Sequence, residues 1–255
     1  MIIIISPAKK MNMDTDSLPY HDLPHFISKT EQIYRRLQNM SYDELKSLWK
    51  CNDKIATLNM ERLKQMDLQK NLTPAILSYE GIQYQHMAPG IFTDREFSYI
   101  QKHLRILSGL YGILRPFDGI IPYRLEMQAK LSMPDAKDLY AFWGNILANH
   151  LSEDTDCILN LASKEYSSCI SKHLPKNVRF ITCVFGEWKN GKLIEKGTLC
   201  KMARGKMIRF LSENQITDPE KVKTFTELQY QYSAEHSDEN TYVFLLQNPV
   251  QNHID

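Results

Sequence analysis

The loop that follows the first apolar run of the chain carries two adjacent lysines, Lys9 and Lys10. Four consecutive isoleucines at 2–5 precede it, and because they are β-branched they predict a buried strand. Loops at the carboxyl ends of strands bind ligands in α/β sheets. A lysine held there could neutralise a phosphate or, if desolvated, act as a nucleophile. A solvated loop lysine is the equally simple alternative.

Residues 101–127 form the most unusual stretch, in which a helical pattern stops at a Gly109-Leu-Tyr-Gly112 turn and a second apolar segment follows. Two helices joined by a Gly-apolar-Gly turn form a helix-hairpin-helix element. Such an element binds DNA without reading sequence, because its backbone N–H groups bond phosphate oxygens. An ordinary αα-hairpin with glycine as its C-cap fits the same pattern. The cations around the predicted hairpin are Lys102, His103, Arg105, Arg115 and Arg124.

Glu126 lies in the same stretch and has two interpretations. With Lys9 as an amine nucleophile, it could act as general acid or base in an enzyme that acts on damaged nucleic acid. It could instead be the salt-bridge partner of Arg124 or Lys130, which is the interpretation we favour. Lys9 and Glu126 are therefore the candidate catalytic residues, in a protein that we expect to bind rather than to catalyse.

A second basic segment, KMARGKMIRF at 201–210, has a helical pattern. Between residues 186 and 210 seven cations face only two carboxylates, whereas residues 211–255 carry a net charge of −6. The total charge of +1 thus hides two opposite patches, and the local field is what attracts a polyanion. Phosphate binding and a solvated helix face both fit this segment. The cations of the predicted helix are Lys201, Arg204, Lys206 and Arg209.

Other motifs argue against nucleotide, metal and cofactor binding. Residues 186–192 spell GxxxxGK, but Leu193 stands where a P-loop needs Ser or Thr. His21 and His25 are four residues apart, yet Pro24 prevents the helix that would align them on a metal. The five cysteines include no CxxC pair, which argues against both a zinc site and a disulfide framework. We predict no metal and no cofactor.

Local patterns predict the elements that must position these residues. Capping boxes at 41–44 and 93–96 predict the first turns of two helices, and Asn190-Gly191 predicts a β-hairpin. The residues after Pro249 are predicted to be loosely held. Strands are predicted at 2–6, 157–161, 179–185 and 242–246, and helices at 28–39, 53–68, 97–107, 138–151 and 200–211.

The irregular alternation of strands and helices predicts an α/β (mixed α+β) fold, with a mixed sheet surrounded by helices rather than a regular doubly wound fold. No repeat or linker interrupts the chain, so residues 1–255 are predicted to form one compact domain. The apolar run at 1–5 is too short to span a bilayer and has no basic flank before it. We therefore expect a cytoplasmic protein with no membrane partner, and we expect a monomer.

Five blocks of the sequence resemble the YaaA family of bacterial peroxide stress resistance proteins, in the order in which that family carries them. The resemblance spans nearly the whole chain and implies a compact fold particular to that family, a positively charged cleft and a helix-hairpin-helix element. It also implies DNA binding and a role in limiting damage from hydrogen peroxide and unincorporated iron. The blocks are ISPAKK, QKHLRILSGLYGILRPFDGIIPYRLEM, KDLYAFWGN, NLASKEY and KMARGKMIRF.

The leading hypothesis is a DNA-binding protein of the peroxide stress response that contacts duplex DNA, including damaged or structured DNA, without strong sequence preference. It requires residues 9–10, 102–124 and 201–209 to converge on one surface. The alternatives are the lysine-dependent enzyme and an iron-lowering protein, against which the absence of metal-ligand spacing argues. The predicted nucleic-acid contacts are Lys9, Lys10, Arg105, Gly109, Gly112, Arg115, Arg124, Lys201, Arg204, Lys206 and Arg209.

Overall fold

The computed structural model describes residues 1–247, and an eight-stranded mixed sheet runs through its centre. The residues after Pro249, predicted to be loosely held, lie outside this range. The strands are β1 (Ile2–Ile5), β2 (Lys10–Met11), β3 (Thr73–Pro74), β4 (Tyr79–Glu80), β5 (Leu104–Ser108), β6 (Gly112–Leu114), β7 (Gly119–Ile120), β8 (Cys157–Asn160), β9 (Arg179–Lys189), β10 (Lys192–Ile194), β11 (Tyr230–Tyr232) and β12 (Thr241–Leu246).

Helices flank the strands along the chain, and three short 3-10 turns at 89–91, 227–229 and 234–236 accompany them. None of the helices among residues 1–247 is long and apolar enough to cross a membrane. The α-helices are α1 (Ile27–Gln38), α2 (Tyr42–Trp49), α3 (Asp53–Gln65), α4 (Ala75–Ser78), α5 (Ile82–Met87), α6 (Asp94–His103), α7 (Leu139–Trp143), α8 (Ile146–Asp154), α9 (Lys164–Ser171), α10 (Gly197–Glu213) and α11 (Pro219–Val222).

The main sheet confirms the predicted mixed α/β class and adds a regularity that the sequence does not reveal. Its strand order is β11-β12-β9-β8-β1-β5-β6, with β10 paired to β9. The five strands β5, β1, β8, β9 and β12 are mutually parallel, and only β6, β10 and β11 run antiparallel to their neighbours. Numbered along the chain, the parallel strands have the 2-1-3-4-5 order of doubly wound folds. The sheet as a whole is mixed, as predicted, and this strand order is confined to its parallel part.

The central strand β1 explains why the chain begins with four isoleucines. It pairs with β5 on one side and β8 on the other, so Ile3 lies between Leu104 and Leu159. All four of its isoleucines are at most 5% exposed. Strands covered on both faces are continuously apolar, and burying each such side chain stabilises the fold by about 1.5–3 kcal/mol.

The predicted helix at 97–107 ends early, at His103, and the chain continues as strand β5. β5 pairs with β1 in parallel and with β6 antiparallel, so the Gly109-Leu-Tyr-Gly112 turn joins two strands. The helix-hairpin-helix prediction for this stretch is therefore wrong. The apolar spacing at 97–107 fits a helix, but all five residues of β5 are buried by pairing with strands distant in sequence.

The two glycines of this turn are buried and serve packing. A Cβ atom on Gly109 would lie 2.7 Å from the carbonyl oxygen of Leu125, and Gly112 has φ +74. The N–H groups of Leu110 and Tyr111 donate to Ser108 Oγ, at 3.2 and 2.9 Å. These bonds satisfy the N–H groups of the two residues between the glycines. The phosphate contacts at Gly109 and Gly112 stay a prediction, and both glycines are buried in a turn between two strands.

The local predictions of two capping boxes and a β-hairpin are confirmed. Both capping boxes are formed, at Ser41 with Glu44 and at Thr93 with Glu96. The Asn190-Gly191 turn joins β9 to β10 as a hairpin, which also confirms that the GxxxxGK segment is not a P-loop. The helix predicted at 138–151 is two helices, α7 and α8, separated at Gly144, where φ is +50.

Replacing Gly112 by alanine is expected to destabilise the protein by about 2–4 kcal/mol, for two reasons. The positive φ of this residue strains any side chain that has a Cβ atom, and the Cβ atom would also be too close to its neighbours. That Cβ would lie 2.9 Å from both Leu147 and Trp143. Gly191→Ala is the matched control, since Gly191 has φ +71 but no neighbour within 4 Å. It should cost only about 1 kcal/mol. Urea denaturation of both variants measures the difference, and equal losses would contradict the packing argument.

Candidate anion-binding cavity

A cavity of about 430 Å³ lies where β1 and β8 end. Within the sheet, β5 lies next to β1 on one edge, and β8, which comes later in the chain, lies next to β1 on its other edge. Loops after two such strands diverge and leave a crevice, which is where open α/β sheets bind ligands. The cavity is lined by the β1 loop, the β4–α5 segment, residues 123–126, the start of α9, and two cations of α10.

Two serines fix the floor of the cavity. Ser6 follows β1 and Ser163 follows β8, and the backbone N–H of Ser163 donates to Ser6 Oγ at 2.8 Å. The Ser6 hydroxyl in turn donates to Ser163 Oγ at 3.2 Å. Tyr84 of α5 donates its hydroxyl to the carbonyl oxygen of Ser6 at 3.1 Å. These bonds hold the ends of both strands and the wall formed by α5 in one position.

Lys9 and Glu126, the two candidate catalytic residues, form an ion pair in the cavity wall. Lys9 Nζ lies 2.9 Å from Glu126 Oε1, and Arg124 Nη2 lies 3.9 Å from the same oxygen. The predicted Glu126–Arg124 salt bridge is therefore confirmed, and Lys9 rather than Lys130 is the second partner. The Lys9 side chain is 64% exposed, so this pair stabilises the fold by at most about 1 kcal/mol.

Lys10 is held at the rim by Glu80. Its ammonium contacts Glu80 Oε1 at 2.5 Å, and Asn12 donates to the other carboxylate oxygen at 2.7 Å. These bonds, with the Lys10 contact the larger, lower the pKa of Glu80. The carboxylate of Glu80 is therefore ionised at neutral pH. The Lys10 side chain that it contacts is exposed beside the cavity mouth.

Helix α10 brings Lys201 and Arg204 to the cavity through a close helix crossing. A Cβ atom on Gly205 would lie 2.2 Å from the carbonyl oxygen of Gln83, so only glycine allows α10 to approach α5 this closely. Among residues 1–247, neither Lys201 nor Arg204 has a carboxylate within 4.0 Å. Arg204 Nε and Gln83 Nε2 are buried without any hydrogen-bond partner in the described chain.

The other two cations of α10 lie outside the cavity. Lys206 contacts Glu227 at 3.7 Å. Arg209 donates to Glu213 at 2.6 Å and stacks its guanidinium over the Phe92 ring at 5.6 Å. Only half of the predicted basic helix face therefore belongs to the candidate site.

Arg105 and Arg115 line a different cleft, of about 890 Å³, at the amino end of β1. The Arg105 side chain is 8% exposed, and it lies 3.4 Å from Asp154 while donating to backbone carbonyls. Arg115 contacts Asp22 at 3.1 Å and Asp118 at 3.3 Å. The required convergence on one surface therefore holds only in part: Lys9, Lys10, Arg124, Lys201 and Arg204 share one cavity, and Arg105 and Arg115 do not line it.

Sequence reasoning missed the contribution of α9. Glu165 and Tyr166 line the cavity, and burial raises the pKa of Glu165, which accepts the backbone N–H of Gln128 at 3.3 Å. The signal was present, because NLASKEY follows a predicted strand just as Lys9 follows β1. Applying the strand-end rule to both strands would have found this segment. Among residues 1–247, no group of three His, Cys, Asp or Glu side chains could hold a metal ion.

The parallel sheet and its cavity define an α/β protein with a cavity at the topological switch point. Comparison with known proteins identifies the family within this class of α/β proteins. Residues 1–236 match the family model described as peroxide stress protein YaaA. A UPF0246 protein of Lachnoclostridium phytofermentans is 54% identical over 245 residues, covering 96% of each chain. UPF0246 proteins of Desulfitobacterium hafniense and Lactiplantibacillus plantarum are 52% and 50% identical, covering 96% and 97% of this chain and 98% and 100% of their own. The chain belongs to the peroxide stress protein YaaA family.

The buried carboxyl group of Asp118 predicts a pH-dependent stability. Burial raises its pKa to about 6, against the opposing effect of Arg115. A carboxyl whose pKa is higher in the folded state than in the unfolded state stabilises the fold when protonated. The free energy of unfolding should therefore fall by about 2 kcal/mol as the pH rises from 4 to 6.

Asp118→Asn should remove this fall, because the amide does not titrate. Asp22→Asn, at the more exposed partner of Arg115, should retain it. Urea denaturation between pH 4 and pH 7.5 measures the slope of each protein. A slope in Asp118→Asn equal to that of the wild type would contradict the assignment to Asp118.

Proposed function

We propose that this peroxide stress protein binds the phosphate backbone of duplex DNA around the mouth of the cavity, and that this binding limits damage under peroxide stress. The observation that carries the proposal is the charge of the cavity wall, where five cations face three carboxylates. Lys10 and Lys201 are exposed there, so a polyanion can reach both without unfolding any element. Positive charge concentrated at a concave surface attracts a polyanion even when the net charge of the chain is near zero.

A helical hairpin beside the cavity adds support for the same surface. Helices α2 and α3 are joined by a three-residue turn in which Lys50 has φ 47. The carbonyl oxygen of Trp49, at the end of α2, accepts from Arg124 Nη2 at 3.5 Å, and Arg124 lines the cavity. Turns of this kind expose backbone N–H groups that can bond phosphates. The helical hairpin implied by the family resemblance is therefore proposed here, rather than at 101–127.

Duplex binding should weaken steeply with salt, because each neutralised phosphate releases condensed counterions. Lys10→Gln and Lys201→Gln should each weaken binding and lower the slope of log K against log[salt] by about 0.9. Lys206→Gln is the matched control, since Lys206 lies on the same helix as Lys201 but faces Glu227 outside the cavity. Fluorescence polarisation with a duplex oligonucleotide between 50 and 300 mM salt measures these effects, on the order of a few fold per variant.

Two results of that titration would contradict the proposal. One is wild-type binding that does not change with salt. The other is an equal loss of affinity in Lys206→Gln and Lys201→Gln, which would mean that the cavity mouth is not the DNA surface.

A second candidate function is favoured by the Lys9–Glu126 ion pair, which places an ammonium and a carboxylate 2.9 Å apart in the cavity wall. If Glu126 takes a proton from the Lys9 ammonium, the free amine can add to the aldehyde carbon of an abasic nucleotide. Loss of water then leaves an imine, and β-elimination from that imine cleaves the strand. This activity would make the protein an enzyme acting on damaged DNA rather than a binding protein alone.

Borohydride trapping tests this second function, because hydride reduces the imine to a stable amine. An oligonucleotide with an abasic site should form a covalent adduct with the wild type and with Lys10→Gln, and none with Lys9→Gln. Gel electrophoresis detects the adduct. Absence of any adduct in the wild type, or an undiminished adduct in Lys9→Gln, would exclude Lys9 as the nucleophile.

A further inference from the structure

Three buried polar groups without partners belong to the wall of the candidate cavity. Within the described part of the chain, four buried side-chain nitrogen or oxygen atoms lack a hydrogen bond. Three of them are Gln83 Nε2, Arg124 Nε and Arg204 Nε, and all three residues line this cavity. Buried polar groups in proteins are nearly always satisfied. All three atoms are N–H donors, so a ligand that bonds to them must supply acceptors.

The most telling of the three is Gln83, which is only 7% exposed. Its side chain makes no hydrogen bond to any described residue, although an amide can make several. The neighbouring Gln85, two positions along α5, is exposed to solvent. Gln83 therefore lies on the cavity side of α5, whereas Gln85 lies on the solvent side of the same helix.

The first turn of α9 supplies further donors at the same cavity. Its N-cap residue, Ser163, makes no side-chain cap bond, because its hydroxyl is engaged with Ser6. The backbone N–H groups of Lys164 and Glu165 have no partner among the described residues. A helix N-terminus carries partial positive charge, and its free N–H groups bind anions. Ser163 and Glu165 both line the cavity, so this end of the helix opens into it.

The charge and size of the cavity restrict the anion. Five cations and three carboxylates give its wall a net charge of +2. A terminal phosphomonoester carries about −1.5 to −2 at pH 7, whereas each internal phosphodiester carries only about −1. A volume of about 430 Å³ is in the range of cavities that enclose a nucleotide-sized molecule. An uninterrupted duplex does not fit inside it.

We propose that the cavity binds the terminal phosphomonoester of a nucleotide, with the phosphate at the N-terminus of α9 and at Arg204, and with Gln83 donating to it or to the attached nucleoside. The tyrosines Tyr84, Tyr123 and Tyr166 contribute the aromatic rings of the wall, against which the sugar and base pack. This inference deepens the proposed function and rests on its assignment of the cavity as the anion site. The phosphomonoester comes either from a free mononucleotide or from a phosphorylated end of a DNA strand.

Calorimetric titration with deoxyadenosine 5′-monophosphate and with deoxyadenosine tests the phosphate requirement. The nucleotide should bind with one-to-one stoichiometry, and the nucleoside should bind at least tenfold more weakly, because it lacks the charged acceptor. Equal binding of the two compounds would overturn the proposal.

Matched glutamine variants test the position of the site. Gln83→Leu should weaken nucleotide binding about tenfold or more, because it removes a buried donor to a charged acceptor. Gln85→Leu, on the exposed side of the same helix, should bind as the wild type does. Thermal unfolding of the ligand-free proteins gives a second measurement: Gln83→Leu should be at least as stable as the wild type, since it removes an unsatisfied amide. An unchanged nucleotide affinity in folded Gln83→Leu would contradict the assignment.

Binding experiments with DNA distinguish the two possible sources of the phosphomonoester. They also distinguish this inference from the proposed function. A nicked duplex with a 5′-phosphate should bind more tightly than one with a 5′-hydroxyl if the source is a strand end, and equally if the source is a free nucleotide. Closed circular duplex DNA has no ends and reports the proposed DNA surface alone. If circular DNA binds but neither the nucleotide nor the phosphorylated end is preferred, this inference fails by itself. If the nucleotide binds and circular DNA does not, the proposed function fails by itself.

Discussion

Parallel pairing of β1 with strands on both of its sides is the constraint on which the candidate site depends. Backbone hydrogen bonds to β5 and β8 fix the register of the isoleucine strand. Since this strand is buried on both faces, any other register would misplace a continuous apolar run. The end of β1 is therefore held beside the end of β8, where Ser6 bonds to Ser163. The cavity follows from this adjacency and from the opposite directions that the chain takes after the two strands.

The sheet divides the cations of the protein into two groups with different consequences. At the carboxyl ends of β1 and β8, Lys201 and Arg204 face the cavity without a carboxylate partner in the described chain. At the amino end of β1, Arg105 and Arg115 are bound by Asp154, Asp22 and Asp118. Ion pairs of this kind satisfy a guanidinium within the fold and leave less of it for a ligand. Lys10 is also ion-paired, with Glu80, but its side chain is exposed at the cavity mouth, whereas the Arg105 side chain is buried away from the cavity.

How far the sequence predicts this structure depends on the range of the interactions involved. The capping boxes and the Asn190-Gly191 hairpin are specified by neighbouring residues, and both are formed as predicted. Strand β5 is specified by its pairing with β1, about a hundred positions earlier, and its apolar spacing alone predicts a helix. For the same reason, Lys9 and Lys201 could be selected as candidates, but not the contact of Lys9 with Glu126 or the closeness of Gln83 to Arg204. The closeness of Gln83 to Arg204 depends on the packing of α5 against α10 at Gly205, which has no local signal.

The buried donors without partners in the cavity wall lower the stability of the fold. A buried donor without a partner destabilises a fold by about 1–3 kcal/mol, and an apolar side chain at Gln83 would avoid that loss. Residues that break a local rule without a structural gain are typical of functional sites. Elsewhere in the described chain the same rule is respected, apart from Trp49, which lies next to Arg124 in the adjoining wall. Under the proposed assignment, an acceptor-rich anion bound in the cavity would recover that free energy, and its binding would raise the stability of the folded chain.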